Sequence, residues 1–464
     1  MIFDRRTTLS LTGAVLAGMI GRAGAADTDT FDDDDETADF PALEFVTEPD
    51  VDVDALAEQI RGNVAVSLAL LAQLREDGPG ENLFFSPYSV SVALAMTYAG
   101  ARGETADEMG DAMEYVLEDE TLHAAFGALE AEFEQRNEDG ADVDRPVPAD
   151  DGNGNGDEGE REGEEEDGPA FQLASANAIW GDENYPFDDG YVDLLETYYG
   201  AGERLVDFEG DPEGAREEIN EWVETQTNDR IEDLLPAGSV DEATRLVLTN
   251  AVYFLAAWEH EFNPDATEPT PFTSLDGTET DVETMHQTRE LRYADVDGHQ
   301  FVELPYANGQ TSMVVLLPAE GEFESFEASL TVDRLATMLE AADVLEVELA
   351  FPRFGIESQF SLVEPLAELG MERAFDERSD FGGMEGDDEE VFIDDVVHQS
   401  FVEVDEEGTE AAAATAVVME DEAAEPVERV EMSVDRPFLF YIRDRPTETP
   451  LFWGRVVDGE TLQE

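Results

Sequence analysis

The chain has 464 residues with 115 acidic and 24 basic side chains, which gives a formal net charge of −91 at pH 7. A surface this acidic argues against nucleic acids, heparin-like polysaccharides and anionic membranes as partners, because no basic patch exists to neutralise them. The absence of Cys excludes disulfides, thiol catalysis and thiolate metal sites. Since 42% of the residues are hydrophobic, we expect a folded protein that needs molar salt to screen its self-repulsion, as in a haloarchaeon.

The N-terminus carries the features of a twin-arginine (Tat) export signal. Arg5-Arg6 precedes an apolar run from Leu11 to Ile20, which is too short to span a bilayer, and a cleavage-type Ala-Gly-Ala follows at 23–25. The pattern predicts a signal peptide over residues 1–25 and an extracellular protein, either released or retained at the cell surface, with no membrane span. Residues 26–52 are predicted to form an acidic disordered spacer.

From residue 53 onward, apolar residues recur with helical or strand periodicity in mixed order. Helices are predicted from Val53 to a loop at 77–80, over 90–99, from about 105, and over 121–135, 188–199 and 212–226. Strands are predicted over 171–180, 245–258, 298–304, 311–317, 344–354, 391–404, 438–443 and 450–457. Because no regular βα repeat occurs, this order indicates a single α+β domain over residues 53–464 with mostly antiparallel sheets.

Residues 137–168 interrupt the pattern with a low-complexity tract of Asp, Glu, Gly and Pro, which we interpret as an acidic surface insert. Within it, Asp151, Asn153, Asn155 and Glu162 match the spacing of an EF-hand calcium loop. Flanking amphipathic helices are missing, and chance matches are expected in a tract of this composition. We therefore predict no metal site, although cation binding by the insert stays open.

Enzyme motifs are absent from the sequence. It contains no Gly-x-Ser-x-Gly, no His-Glu-x-x-His and no Walker loop, and its five His residues are scattered along the chain. We therefore expect no enzyme activity and no cofactor.

A run near the C-terminus, residues 406–419, has the period of a strand with one uncharged face. Every second residue from Thr409 to Met419 is small or apolar, whereas the other parity carries Glu410 and Glu420. The run begins with a Gly and consists mostly of small residues, so it has little side chain to hold a strand in place. Composition alone leaves an exposed helix or a flexible linker equally open.

From about residue 56 to its end, leaving out the insert, the sequence resembles the serpin family. The resemblance rests on stretches that occur in the family's order, each weak alone and specific together. They are 82–89 (NLFFSPYS), 96–105 (MTYAGARGET), 249–254 (TNAVYF) with Trp258, 303–306 (ELPY), 351–354 (FPRF), 407–412 (EGTEAA), 435–438 (DRPF) and 451–456 (LFWGRV).

The resemblance implies the serpin fold, with three β-sheets and about nine helices in one metastable domain that exposes a reactive-centre loop. In that family a target serine protease cleaves the loop, which then inserts into the main sheet as a new strand and traps the acylated protease. The uncharged parity suits insertion, since burying an unpaired charge is costly. The hinge of the loop corresponds to Gly408, Thr409, Glu410, Ala411, Ala412, Ala413, Ala414 and Thr415.

The resemblance thus implies a secreted, monomeric suicide-type inhibitor of serine proteases. The alternative is a non-inhibitory serpin that acts as a carrier or a surface interaction protein. By family spacing the reactive bond joins Glu422 to Ala423, within an offset of one or two residues. The residues that precede this bond, here called the bait, are acidic, which indicates a protease that prefers Glu or Asp. If the bait merely follows the chain's acidic bias, a broad subtilisin-like protease is the target.

Two further groups of residues carry over from the family. The first, here called the shutter, is a buried hydrogen-bonded cluster beneath the point where the main sheet opens. Its members are Ser86, Ser89, Asn250 and His398. The second, here called the breach, lies at the top of the sheet, where a carboxylate is expected to pair with an Arg. Its members are Trp258, Glu406 and Arg353. The helix that binds heparin in some members corresponds to about residues 112–135 and is acidic here, so polysaccharide activation is not expected.

Overall fold

A computed structural model describes residues 52–117, 119–141, 171–183, 187–200, 204–227, 229–384, 391–409 and 429–462. Nine α-helices lie in these ranges, in agreement with the expected number. They are α1 (Val53–Asp77), α2 (Pro87–Tyr98), α3 (Gly103–Ala112), α4 (Asp119–Ala141), α5 (Asp189–Tyr199), α6 (Pro212–Gln226), α7 (Phe323–Ala328), α8 (Val332–Ala341) and α9 (Val363–Glu368). None of the helices in the described ranges is both long and apolar enough to cross a membrane.

Fifteen strands also lie in the described part of the chain. They are β1 (Leu83–Phe85), β2 (Phe171–Asp182), β3 (Arg204–Val206), β4 (Leu246–Ala257), β5 (Glu268–Thr273), β6 (Glu279–Val296), β7 (His299–Pro305), β8 (Thr311–Leu317), β9 (Asp343–Pro352), β10 (Phe354–Ser361), β11 (Asp395–Val404), β12 (Gly408–Thr409), β13 (Arg429–Ser433), β14 (Phe438–Asp444) and β15 (Pro450–Val456). Helices and strands occur in mixed order, which confirms the α+β class.

The main sheet has six strands in the order β10-β11-β12-β4-β2-β3. In its lower half, β4 and β11 pair directly with each other in parallel, from Val247 opposite Asp395 to Tyr253 opposite Phe401. In its upper half the two strands separate, and β12 lies between them, antiparallel to both. In the lower half, β4 and β11 are therefore directly hydrogen-bonded to each other. In the upper half, the two residues of β12 lie between them.

The second sheet has nine strands, so the described strands form two hydrogen-bonded sheets where three were expected. The reason is the 18-residue strand β6. Its first part pairs with β5 and β9, and its last part pairs with β7. These pairings join two smaller sheets into one continuous sheet, so the described strands contain no separate third sheet.

Helix α2 positions the shutter beneath the main sheet. It is apolar on nearly all sides, as expected of a helix inside a core, and every residue from Pro87 to Thr97 is buried. Ser86 caps its N-terminus, since the Ser86 hydroxyl accepts a hydrogen bond from the Ser89 amide at 3.2 Å. A cap, a proline in the first turn and complete burial together place these serines against the sheet.

The structure corrects several predicted boundaries. Helix α4 continues to Ala141, so the insert does not begin at residue 137 as predicted. Asn137 instead fastens the helix to β2, because its amide group donates to the Leu173 carbonyl at 2.9 Å and accepts from the Leu173 amide at 2.8 Å. The single strand predicted over 344–354 is two strands, β9 and β10, with Arg353 between them.

Candidate functional site

The first two residues of the predicted hinge lie inside the main sheet. Gly408 is opposite Ala257 and Thr409 is opposite Ala256, while Thr409 also pairs with Val404. A Cβ atom at Gly408 would lie 2.2 Å from the Ala256 carbonyl oxygen, so the backbones approach too closely for any other residue. Gly408 therefore fits between β4 and β11 where a larger residue would not.

The Thr409 side chain is buried in the breach. Its hydroxyl is 2.8 Å from the Tyr306 hydroxyl, and both residues are fully buried. The Tyr306 ring stacks on Trp258 with centroids 4.7 Å apart and an interplanar angle of 4°. The Trp258 indole donates to the Asp405 carbonyl at 2.9 Å. An aromatic pair therefore connects the docked hinge to the segment just before it.

A tight turn joins β11 to the hinge, and Asp405 stabilises it. The Asp405 amide donates to the Gly408 carbonyl at 3.0 Å. Its carboxylate accepts from the amides of Glu407 at 2.9 Å and Gly408 at 3.2 Å. Burial raises the pKa of Asp405 to about 6, and the Glu407 carboxylate adds to the rise, against the two amides and Arg353.

The Glu406 carboxylate lies between Arg353 and Thr267. The Arg353 Nε atom is 3.5 Å from one oxygen, and the Thr267 hydroxyl donates to the other at 2.5 Å. The Glu406 side chain is only 8% exposed, whereas that of Arg353 is 43% exposed. Removing the guanidinium partner would therefore leave a buried carboxylate with one hydroxyl donor.

The shutter residues meet beneath the lower half of the β4–β11 boundary. The Asn250 amide donates to the Ser89 hydroxyl and to the Asn177 side-chain oxygen, both at 2.8 Å. The Ser89 hydroxyl donates to the same Asn177 oxygen at 2.7 Å. His398 contacts Asn250 through one ring nitrogen and Ser86 through the other. All four predicted members therefore lie in one cluster, together with Asn177.

The hydrogen bonds specify a neutral His398. Its Nε2 atom accepts from the Ser86 amide at 3.2 Å, so the proton must lie on Nδ1, which donates to the Asn250 side-chain oxygen. Complete burial lowers the pKa of His398 to about 3. The shutter is consequently an uncharged network.

The chain that follows the predicted reactive loop lies at the edge of the second sheet. Strand β13 pairs in parallel with β9. Arg429, its first residue, donates to the Glu348 carboxylate at 2.7 Å and lies 3.6 Å from that of Glu346. The hinge residues Glu410, Ala411, Ala412, Ala413, Ala414 and Thr415, and the reactive bond Glu422–Ala423, lie outside the described residues.

Several residues of the site were not predicted. Asn177 lies in β2 beside Ala176, Ala178 and Ile179, and that local contrast was a usable signal. Tyr306 lies in the Glu-Leu-Pro-Tyr stretch, whereas Thr267 and Asp405 gave no signal, because their partners follow from the turn geometry. No cluster of three or more His, Asp or Glu in the described ranges could hold a metal ion. The calcium-loop pattern at 151–162 lies outside them.

Comparison with known proteins gives the family. The family model "Serpin (serine protease inhibitor)" matches residues 61–459. The chain is 37% identical to an uncharacterized serpin-like protein of Thermococcus kodakarensis over 384 residues, which are 82% of either chain. It is 36% identical to the leukocyte elastase inhibitor of Bos taurus, over 85% of this chain and 97% of the relative.

Solved structures agree with the sequence comparisons. The native state of the thermophilic serpin tengpin superimposes with a TM-score of 0.72 at 27% identity, over 90% of this chain and 97% of that one. Serpin48 of Tenebrio molitor gives a TM-score of 0.71 at 26% identity, over 86% of this chain and 98% of that one. The predicted serpin fold is confirmed. The chain belongs to the serpin family, a family of protease inhibitors rather than enzymes.

Proposed function

We propose that the protein is a suicide-type inhibitor of serine endopeptidases that traps the acyl-enzyme by inserting its cleaved loop into the main sheet. The observation that carries this proposal is the docked hinge. Thr409 already occupies the position of a new strand between β4 and β11, and the sequence continues with an uncharged parity up to Met419. Insertion would extend an existing strand and would need no new nucleus.

The geometry of the lower half supports the same step. A loop strand can enter only where β4 and β11 separate, which breaks one parallel ladder and replaces it with two antiparallel ladders. Beneath this ladder the shutter offers neutral hydrogen bonds, which can re-form after the strands move. A charged network there would instead carry a large desolvation cost in any rearrangement.

The target follows from the bait residues. With the reactive bond at Glu422–Ala423, the primary pocket of the protease accepts Glu or Asp, and a broad subtilisin-like enzyme is the alternative target. The proposal also includes Tat-dependent export to the extracellular side, a high-salt environment and a monomeric state. Helix α4 supports inhibition without heparin, since its Arg136 is buried in ion pairs with Glu132 and Asp444, each at 3.0 Å.

The test is incubation in molar salt with a Glu-specific protease and, separately, a subtilisin-like protease. We expect a stoichiometric complex that survives SDS. We also expect a released C-terminal peptide whose measured mass corresponds to a chain that begins at Ala423. A cut after Met419 or Ala424 would move the reactive bond. Cleavage without any stable complex would support the alternative, a non-inhibitory carrier or interaction protein.

A further inference from the structure

Three Arg and two Glu side chains, here called the arginine cluster, meet on one face of the second sheet. Arg443 donates from Nη2 to the Glu303 carboxylate at 2.8 Å and from Nη1 to the Glu448 carboxylate. Arg292 donates to the other Glu303 oxygen at 2.6 Å, and the Arg445 Nε atom lies 3.4 Å from Glu303. The side chains of Arg443 and Glu303 are each only 3% exposed. The centre of the cluster is therefore a buried ion network.

Among the described residues, the arginine cluster carries one more positive than negative charge. Burial opposes the charge of Glu303, but the arginines around it lower its pKa to about 2. Burial raises the pKa of Glu448, against the effect of Arg443, so this carboxylate adds at most one negative charge. Asp444 does not balance the excess, because it lies on the opposite face of β14 and pairs with Arg136 at 3.0 Å. A buried charge without a counter-charge is unfavourable.

Two hydrogen-bond donors beside this excess charge have no partner among the described residues. They are the Arg443 Nε atom and the Tyr441 hydroxyl, and both are buried. Burial raises the pKa of Tyr441, so its hydroxyl keeps its proton and can donate. Since buried polar groups are almost always hydrogen-bonded, both donors require an acceptor.

The strand register places both donors on the same face as the arginine cluster. Tyr441 is opposite Val314, which is in turn opposite Glu303. Arg443 follows Tyr441 by two residues in β14, and side chains at this spacing leave one face of a strand about 6.6 Å apart. The Tyr441 ring stacks on Trp453 with centroids 4.7 Å apart, which limits its movement. A single acceptor that contacts both donors must therefore lie between them.

We propose that a halide ion, chloride in ordinary salt, binds between the Arg443 guanidinium and the Tyr441 hydroxyl. A halide accepts hydrogen bonds from several donors at once and supplies the negative charge that offsets the excess of arginine. A water molecule could accept from the same donors, but it would leave the excess charge in place. The site contains no residue of the hinge, the shutter or the breach, so it goes beyond the proposed function and does not depend on it.

The position of the ion is tested by diffraction from crystals of the full chain grown in sodium bromide. Bromide scatters anomalously near its absorption edge, whereas the oxygen of a water molecule does not. We expect an anomalous peak within hydrogen-bond distance of the Arg443 Nε atom and the Tyr441 hydroxyl. A water molecule alone at this position, or bromide only at the protein surface, would overturn the proposal.

The contribution of the ion to stability is tested by unfolding the full chain in molar sodium salt, with glutamate exchanged stepwise for chloride. An ion that binds only the folded state raises the free energy of unfolding as its concentration rises. Tyr441→Phe removes one donor and should raise the chloride concentration of half-maximal stabilisation at least tenfold. Tyr191→Phe is the matched control, because it removes a buried hydroxyl that donates to the Met96 carbonyl at 3.2 Å, and it should respond to chloride as wild type does. Equal chloride dependence in wild type and Tyr441→Phe would contradict the site.

Discussion

The two halves of the β4–β11 boundary differ in how the strands pair and in the charge of the residues around them. In the lower half the strands pair directly above a neutral, fully hydrogen-bonded shutter centred on His398 and Asn250. In the upper half the hinge lies between the strands, and the residues around it are charged: Asp405, Glu406 and Arg353. In the proposed mechanism the lower half would have to open and re-form, whereas the upper half holds two residues in place and defines the turn.

This contrast suggests an order of events. In the proposed mechanism, opening would begin at the top, where Thr409 lies between the strands, and would proceed downward as the shutter bonds are exchanged. Charges could be tolerated at the top if, as we propose, the turn keeps its place during insertion. Uncharged side chains suit the lower half because, in the proposed mechanism, the strands would move past them. The changes that follow target one half at a time.

The largest effect is expected from Thr409→Arg. Thr409 is fully buried and bonded to Tyr306, and a guanidinium at that position has no partner, which costs several kcal/mol. The variant should still be cleaved by the protease, but the yield of SDS-stable complex should fall at least tenfold. Thr409→Ser keeps the hydroxyl and serves as the control. A Thr409→Arg variant that traps protease normally would contradict the account of the upper half.

A smaller effect is expected from Glu406→Lys. The change places an ammonium beside Arg353 in a largely buried position, which destabilises the docked hinge by about 3 kcal/mol or more. We expect faster loop–sheet polymerisation on mild heating, measured by native gel electrophoresis or size-exclusion chromatography. Glu406→Gln is the matched control, because it removes the charge and keeps a hydrogen-bond acceptor for Thr267. A monomeric and fully inhibitory Glu406→Lys variant would falsify this prediction.

The lower half should respond to pH through His398. Its pKa of about 3 in the folded protein lies below its ordinary value of about 6.5. The unfolded state therefore binds more protons between these values, and the contribution of His398 to stability is complete above pH 6.5 and lost as pH falls toward 3. Between pH 7.5 and 4.5 the loss is about 3 kcal/mol.

Because many carboxyl groups titrate in the same range, the measurement is a difference between variants. We expect the free energy of unfolding of wild type to fall more steeply with acid than that of His398→Gln. His260→Gln, at an exposed residue, should behave as wild type. Parallel pH profiles for wild type and His398→Gln would show that the shutter His is not held neutral.

The smallest effect is expected from Asp405→Asn at the turn. The raised pKa of about 6 means that the contribution of Asp405 to stability is complete below about pH 4 and is lost as pH rises through 6. The amide oxygen can still accept from the Glu407 and Gly408 amides. The variant should therefore stabilise the docked hinge near pH 7 by about 1 kcal/mol or less, since Asp405 is partly exposed to solvent. A free energy of unfolding slightly above that of wild type at pH 7, and equal to it below about pH 4, is the expected readout.

Prediction from the sequence was most successful where side-chain type and spacing carry the information. The four predicted shutter residues lie together, and strand β8 has its predicted ends. Strand β6 was missed because Thr288, Arg289 and Glu290 are exposed in succession, which breaks the alternation where the strand passes from one group of partners to another. The end of α4 was missed because Asn137 begins a stretch whose composition is typical of loops. Its hydrogen bond to β2, which extends the helix into that stretch, cannot be read from the sequence.

The central claim is that the loop can become a strand between β4 and β11. Thermal unfolding of the intact protein and of the protein cleaved once within residues 410–428, in the same molar salt, tests it most directly. We expect a large rise in the unfolding temperature after cleavage, abolished in Thr409→Arg, because the new strand replaces one ladder with two. Equal unfolding temperatures before and after cleavage would contradict the claim.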